Sequence, residues 1–431
     1  MRARLALCAA LLAALGSATG AVAEVRRVVL ANGVTVLVRE ERGSGVVAAG
    51  LHVRMAPGDE TTEMAGITNL LQRAMLRGTA RRPAQRIVEA AEEIGGGVDA
   101  SGDAVSAEIA GTALARHWEA LLELIAEIAQ TPSLPGNEID KERRLALSRL
   151  QSRGDSPQAA ALDRLRAELY GAHPYGAPPL GRREVLERLT RDDLVRHHAA
   201  LYRPDRLVLA MSGDLERARA LKVAERLLGR LPAQAPAPRE TPAPARPSRA
   251  RLVIERPAQQ AHIVVGYLVS GVGTDDYPAT RVLGAILGGG TTGRLFVELR
   301  EKLGLAYSVG VLAPWRLTPA YLVAYIATAG DNAASAEERL RAEIARIRNA
   351  GATDFELARA KAYLTGTLLL DRRTNARHTW HLGFFEAAGV GWDYPDRYAR
   401  AVEAVTLESV QRAAQQHLVE PTTVVLQPTG R

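Results

Sequence analysis

The sequence predicts an α+β fold of two tandem, homologous domains, each a mostly antiparallel β-sheet covered by α-helices. Three observations carry this. First, the stretch Pro232 to Pro247 holds six of the chain's 22 prolines and almost no large apolar residue, so it reads as an extended linker outside any core. Second, a β-rich run on either side of it ends in a turn that releases a helix. Val46–Arg54 leads into Ala56-Pro-Gly-Asp-Glu60, and Ala261–Val269 into Gly271-Val-Gly-Thr-Asp-Asp276. Third, both sides close alike. Thr190-Arg-Asp-Asp193 opens a helix that stops near Tyr202-Arg-Pro204, before a strand over 206–211. Thr406-Leu-Glu-Ser409 opens one that stops near Glu420-Pro421, before a strand over 422–426. Threonine caps with polar first turns mark the starts and proline marks the stops. Strands followed by blocks of helices, including amphipathic helices over 335–349 and 353–370, favour a helix-covered sheet in each half. The expected division is a leader at 1–23, domains at 24–231 and 251–431, and a linker at 232–250.

Residues 1–23 read as a secretory signal: Arg2 and Arg4 at the start, an apolar stretch from Leu5 to Leu15, and a small-residue cleavage site ending at Ala23. That stretch is too short to span a bilayer, which takes about 20 residues. The expected location is the periplasm. Cys8, the only cysteine, falls within the signal, so the mature protein would hold no disulfide and rely on its cores. With 47% hydrophobic and 24% charged residues the composition is that of an ordinary globular chain, and 4% aromatics leaves those cores to Ala, Leu, Val and Ile. The formal net charge is +7, two of it from the signal, and the arginines alternate with acids, as in Glu138-Ile-Asp-Lys-Glu-Arg-Arg144. Such interleaving offers no clustered basic face for nucleic acid.

The segment Ala65-Gly-Ile-Thr-Asn-Leu-Leu-Gln-Arg-Ala-Met-Leu-Arg-Gly-Thr79 resembles the pitrilysin/insulinase metallopeptidase family, in its two-domain, processing-peptidase-like branch. Working members carry His-x-x-Glu-His here. Histidines four apart share one helical face and one zinc ion, with the Glu beside them as general base. In this sequence those three positions hold Asn69, Gln72 and Arg73. The third family ligand, a Glu on a later helix, falls on Arg149 in Glu142-Arg-Arg-Leu-Ala-Leu-Ser-Arg149. An amide is a poor zinc ligand, Gln cannot take a proton from water, and Arg has no lone pair to offer. Each fixed cation near 4 Å would add roughly 4 kcal/mol of repulsion per unit charge. No metal is expected in this chain. Without the resemblance, the same residues are simply the polar face of an amphipathic helix.

In the second half, Leu287-Gly-Gly-Gly-Thr-Thr-Gly-Arg-Leu-Phe-Val-Glu-Leu-Arg-Glu-Lys-Leu-Gly-Leu-Ala-Tyr-Ser-Val309 is similar to the family's glycine loop and its Arg and Tyr seven residues apart. A helix is expected over about 292–303, capped by Gly304, with a strand from near Ala306. The resemblance implies that Arg300 and Tyr307 hold the scissile peptide and that Gly288, Gly289 and Gly290 contact substrate. Arginine offers a rigid fork to carbonyls, and a phenol can donate to an oxyanion. Taken alone, Arg300 would be a surface cation, Tyr307 a core aromatic, and the glycines a plain turn. A phosphate cradle is disfavoured, because the Gly-Lys-Ser/Thr ending is missing.

His378, His381 and Glu386 could face one way on a helix, but no further ligand is anchored by pattern, so a structural helix is expected. His173-Pro-Tyr-Gly is expected to be a structural loop, and His197 and His198 to point to different faces. The resemblance as a whole implies a non-catalytic, substrate-binding subunit, inactive alone, that supplies Arg300 and Tyr307 to a zinc-bearing homologous partner. Zinc would belong to that partner, and an unfolded peptide to the chamber between them. A catalytically dead scaffold and a stand-alone peptide-binding protein are the alternatives.

Overall fold

The computed structural model describes residues 24–233 and 242–429; the expected signal at 1–23 and residues 234–241 of the expected linker lie outside them. The first half forms a six-stranded sheet from β1 (Val25–Val29), β2 (Thr35–Glu40), β3 (Val46–Val53), β4 (Gly97–Gly102), β5 (Ala107–Leu114) and β6 (Leu207–Gly213), in the order β1-β2-β6-β3-β5-β4. The second forms a five-stranded sheet from β7 (Arg251–Pro257), β8 (Ala261–Val269), β9 (Ser308–Leu312), β10 (Ala320–Thr328) and β11 (Thr422–Thr429), in the order β7-β11-β8-β10-β9. Without β1 the two orders coincide strand for strand. In both sheets the last strand returns between the first two, parallel to one (β2 with β6, β7 with β11) and antiparallel to the other. A parallel pair needs a long crossover, and the helical block of each half supplies it.

The helix starts follow their capping chemistry. Thr190 Oγ1 accepts from the Asp193 N–H at 3.2 Å while the Asp193 carboxylate accepts from the Thr190 N–H at 2.8 Å. Thr406 and Ser409 repeat the exchange at 3.1 and 3.0 Å, a serine standing where the first half has an acid. These boxes begin the helices Arg191–Leu201 and Leu407–His417. The two long helices run over Ala333–Ala350 and Asp354–Asp371.

Each sheet is covered on one face by helices of its own half and on the other by a helix from the opposite half. Alternation along β8 shows this: Ile263 and Val265 join the core of the second half, whereas Val264 packs with Leu165 and Leu169 of the first-half helix Pro157–Tyr170. In the first sheet, Leu207 and Leu209 belong to that half's core, whereas Val208 and Ala210 meet Leu382 of the second-half helix Asn375–Ala387. Burial on both faces explains why β6 is buried along its whole length and β8 nearly so.

The approach is close enough to require glycine. A Cβ on Gly383 would lie 1.9 Å from the His52 ring, and one on Gly266 would lie 2.8 Å from Leu165. Polar contacts fasten the same seam. The buried Glu386 carboxylate accepts from Arg27 at 2.9 Å and from Arg54 at 3.1 Å, and Thr379 donates to the Ala48 carbonyl at 3.2 Å. Burial opposes charge on Glu386, but the two guanidinium groups hold its carboxyl below the usual range. Gly383→Val should therefore destabilise the protein by about 3 kcal/mol, as overpacking does. Gly366→Ala, in a helix where a Cβ meets nothing within 4 Å, should stabilise it by about 1 kcal/mol. Urea unfolding of the two variants beside the wild type measures both.

Candidate functional site

The helix that carries the expected positions Asn69, Gln72 and Arg73 spans Ile67–Met75. Its N-terminus is anchored by a residue the sequence reading missed. Glu60, 3% exposed, accepts from the Gly66 N–H at 2.8 Å and from the Thr68 N–H at 3.0 Å. Burial pushes its carboxyl up, with those two donors pulling the other way. No local sequence signal marks Glu60, since a loop separates it from the helix it caps. Gly66, at φ +98°, sits where a Cβ would strike Gly181 at 2.8 Å.

Three of the four expected site positions, Asn69, Gln72 and Arg73, are engaged by neighbouring groups, while Arg149 is exposed. Asn69 Nδ2 donates to the Gly102 carbonyl at 3.1 Å, tying the helix to the end of β4. Gln72 is fully buried and donates to the Tyr202 hydroxyl at 2.7 Å. Burial pushes the Tyr202 phenol well above its ordinary range, with Gln72 opposing, so the pair is neutral. Arg73 Nη1 pairs with Asp99 at 2.8 Å on the edge strand β4. Arg73 and Arg149 line one cavity of about 340 Å³ together with Arg77, Glu92, Asp99 and Glu142. Glu142, 1% exposed, accepts from Arg77 Nε at 2.6 Å, so its charge is already matched. This donor set does not fit zinc: its amides are engaged elsewhere and its guanidinium groups have no lone pair. Among the described residues, no group of three or more His, Cys, Asp or Glu side chains could hold a metal ion.

The second expected cluster lies on the other half. Tyr277–Gly288 is a helix, followed by a 3₁₀ turn over Gly290–Thr292. Gly288 and Gly289 are packed too tightly for any side chain: a Cβ would meet Val311 N and the Ala285 carbonyl, each at 2.5 Å. Gly290 has φ +70° and more room, its nearest neighbour being Tyr363. The helix expected from Thr292 starts two residues later and is wound as a π-helix over Phe296–Lys302. Both of its ends are fixed. Arg294, 8% exposed and also unforeseen, reaches Glu356 through Nε and Nη2, each at 2.8 Å, and donates to the Gly351 carbonyl at 3.2 Å. The signal for it was Thr353-Asp-Phe-Glu356, a capping box whose acid serves two partners. At the other end Gly304, at φ +61°, donates to the Arg300 carbonyl while Leu305 N–H reaches Leu299.

Arg300 and Tyr307 flank that turn. The Arg300 guanidinium lies 5.0 Å over the Phe296 ring, and no hydrogen bond or ion pair among the described residues uses its side chain or that of Tyr307. Tyr307 is 72% exposed, its backbone N–H bonded to the Ala327 carbonyl at 2.9 Å, one residue before the strand begins at Ser308. The helix with Asn69 packs mainly on β4, β5 and the helices Gly136–Asp155 and Arg191–Leu201. The π-helix packs mainly on β9, the glycine turn and Ala333–Ala350. The two clusters thus stand on separate halves.

Four further histidines make internal hydrogen bonds. His381 Nε2 meets Asp371 at 2.7 Å, and Glu386 is taken by the seam arginines. His173 Nδ1 accepts from the Tyr175 N–H at 3.1 Å. His197 meets Thr68 at 2.9 Å and His198 the Ala129 carbonyl at 2.8 Å, on different faces.

Residues 35–182 match the family described as insulinase (peptidase family M16), and residues 188–364 the one described as peptidase M16 inactive domain. An uncharacterized zinc protease of Mycobacterium leprae is 27% identical over 92% of this chain and 90% of its own length. Another from Bacillus subtilis, YmxG, is 27% identical over 94% and 99%. A peptidase M16 inactive domain from Pseudomonas fluorescens superimposes with a TM-score of 0.86 at 25% identity, covering 94% of this chain and 99% of its own. A protease from Helicobacter pylori does so with a TM-score of 0.87 at 18% identity.

The anchoring of the glycine turn should be acid-labile. Burial raises the Glu356 carboxyl, but the bonds from Arg294 and Thr353 outweigh it and hold it at about 2, against an ordinary 4.5. A depressed folded-state value contributes stability that is complete above about pH 4.5 and is lost as pH falls toward 2. The stability difference between wild type and Glu356→Gln, measured by urea unfolding, should shrink across that window and stay constant above it.

Proposed function

Since this chain belongs to the insulinase (M16) peptidase family, with both a peptidase and an inactive-domain match, we propose that it is the non-catalytic, substrate-binding subunit of a heteromeric zinc endopeptidase. It would be exported to the periplasm and work beside a homologous, zinc-bearing partner. The observation that carries this reading is an asymmetry. The expected metal-site positions hold two engaged amides and two guanidinium groups, whereas the side chains of Arg300 and Tyr307 make no hydrogen bond among the described residues and Tyr307 is largely exposed.

The partner's zinc would supply an activated water; this chain supplies grip and charge. Arg300 would direct its fork of N–H donors at the carbonyls of an extended peptide. The Tyr307 hydroxyl would donate to the oxyanion that develops as water adds to the scissile carbonyl. Tyr307 immediately precedes β9, one of the two edge strands of the second sheet. A peptide added along that edge, by main-chain hydrogen bonds, would run past both side chains. Gly288 and Gly289 could contribute backbone only, since their Cα positions are enclosed.

The test is reconstitution with a zinc-bearing homologue from the same source and a quenched fluorescent peptide. The mixture should hydrolyse peptide and each chain alone should not. Tyr307→Phe and Arg300→Ala should each lower kcat/KM by about 10²–10³-fold, the cost of losing one oxyanion donor. Both are exposed, so Tm should stay unchanged. Unaltered turnover in both variants would instead identify a scaffold, and chelator-sensitive hydrolysis by this chain alone would overturn the reading.

A further inference from the structure

Between the two halves lies a cavity of about 460 Å³, within the range of about 300–1,000 Å³ that small-molecule sites occupy. Its first-half wall comes from the turn after β4 and from the helix Pro157–Tyr170. Its second-half wall comes from β10, the segment after β9 and the helix Asn375–Ala387. Leu165, Leu312, Trp315, Trp380 and Phe384 make most of the lining apolar.

Into this lining the fold places three arginines and too few acids. Arg153 and Arg166 share a single carboxylate: Asp163 accepts from Arg153 Nε at 2.7 Å and Nη2 at 2.8 Å, and from Arg166 Nη2 at 3.1 Å. Asp103, the acid on the cavity wall, is occupied by its own turn, accepting from the N–H groups of Val105 at 2.8 Å and Ser106 at 3.1 Å. Arg316 has no such match. It is 8% exposed, its Nη1 lacks any hydrogen-bond partner, and no carboxylate among the described residues lies within ion-pair distance. Its guanidinium is held instead by aromatic faces, 4.6 Å from the ring centre of Tyr175, 5.4 Å from Tyr321 and 5.9 Å from Tyr170. Ring faces attract a cation but bring no negative charge, and a buried cation left uncompensated is costly.

We infer that this cavity binds the carboxylate of an apolar-bodied ligand, with Arg316 as its counter-ion and Trp315 and Trp380 against the body. Counting Asp163 and Asp103 against the three arginines leaves one positive charge, which suits a monoanion better than a phosphate. The planar fork of arginine matches a carboxylate in bidentate fashion. A hydrophobic peptide C-terminus and a free amphiphilic acid share this chemistry, and the site needs no partner subunit, so the inference stands apart from the proposed peptidase role.

Two tryptophans in the wall give a direct readout. The full-length protein alone would be titrated, following tryptophan emission and calorimetric heat, with Phe-Leu-Phe bearing a free C-terminus, with the same tripeptide C-terminally amidated, and with decanoate. The free acid forms should shift the emission and bind at least tenfold more tightly than the amide. Arg316→Met should abolish that preference while leaving binding of the amide unchanged. Should Arg316→Met unfold, judged by circular dichroism, Arg316→Lys keeps the charge without the fork and should lower the preference at least threefold. Binding of the tripeptide acid only would assign a peptide C-terminus, and of decanoate only a free acid; each supports the site. Equal binding of acid and amide, or no binding of either acid at millimolar concentration, would overturn it.

Discussion

Everything in this molecule depends on sheets that are wet on neither face. Each half covers one side of its own sheet and leaves the other to a helix that the opposite half provides. Val264 needs Leu165 and Val208 needs Leu382; without the exchange, each sheet would present a row of branched apolar side chains to water. The contact is made at glycines, Gly266 against Leu165 and Gly383 against the His52 ring, where the approach is closer than a Cβ allows. Glu386 then bonds both Arg27 and Arg54 across the seam, so apolar burial and charge pairing act on the same few residues.

That rigid seam gives the two site regions their separate characters. In the first half, a helix able in principle to present a metal site is wired into its neighbours by Gln72 with Tyr202, Asn69 with Gly102 and Arg73 with Asp99. Its two amides are bonded inside the protein, and its arginine has no lone pair to offer a metal. In the second half the wiring runs underneath. Arg294 on Glu356 and the Gly304 cap hold a π-helical turn at both ends, and Arg300 and Tyr307 are presented outward from it. Satisfied polar groups signal architecture and unsatisfied ones on a fixed base signal recognition.

Much of the fold was legible because its cues are local. Thr190, Thr353 and Thr406 cap helices through atoms three residues away, and the apolar run of Ala261–Val269 marks a strand. The repeat could be read from the order of such cues. The helix exchange could not, because Pro157–Tyr170 and Asn375–Ala387 bury side chains around most of their circumference and so lack a clean apolar stripe. Asn69, Gln72, Arg73, Arg149, Arg300 and Tyr307 were legible as candidates only through flanking patterns. Glu60, Arg294 and Arg316 were not, since an arginine or glutamate becomes unusual only when distant residues bury it, and those partners lie about 6 to 150 positions away.

The exchanged helices also bear on the stretch between the halves. Each helix belongs to the polypeptide on its own side of the proline-rich segment, yet lies against the sheet on the far side. The halves are therefore clasped like linked hands, and the covalent thread adds little to what already binds them. A protease that severed it would leave one particle of two fragments. A gene split at that point would encode two pieces with every reason to find each other, but neither with a reason to persist alone.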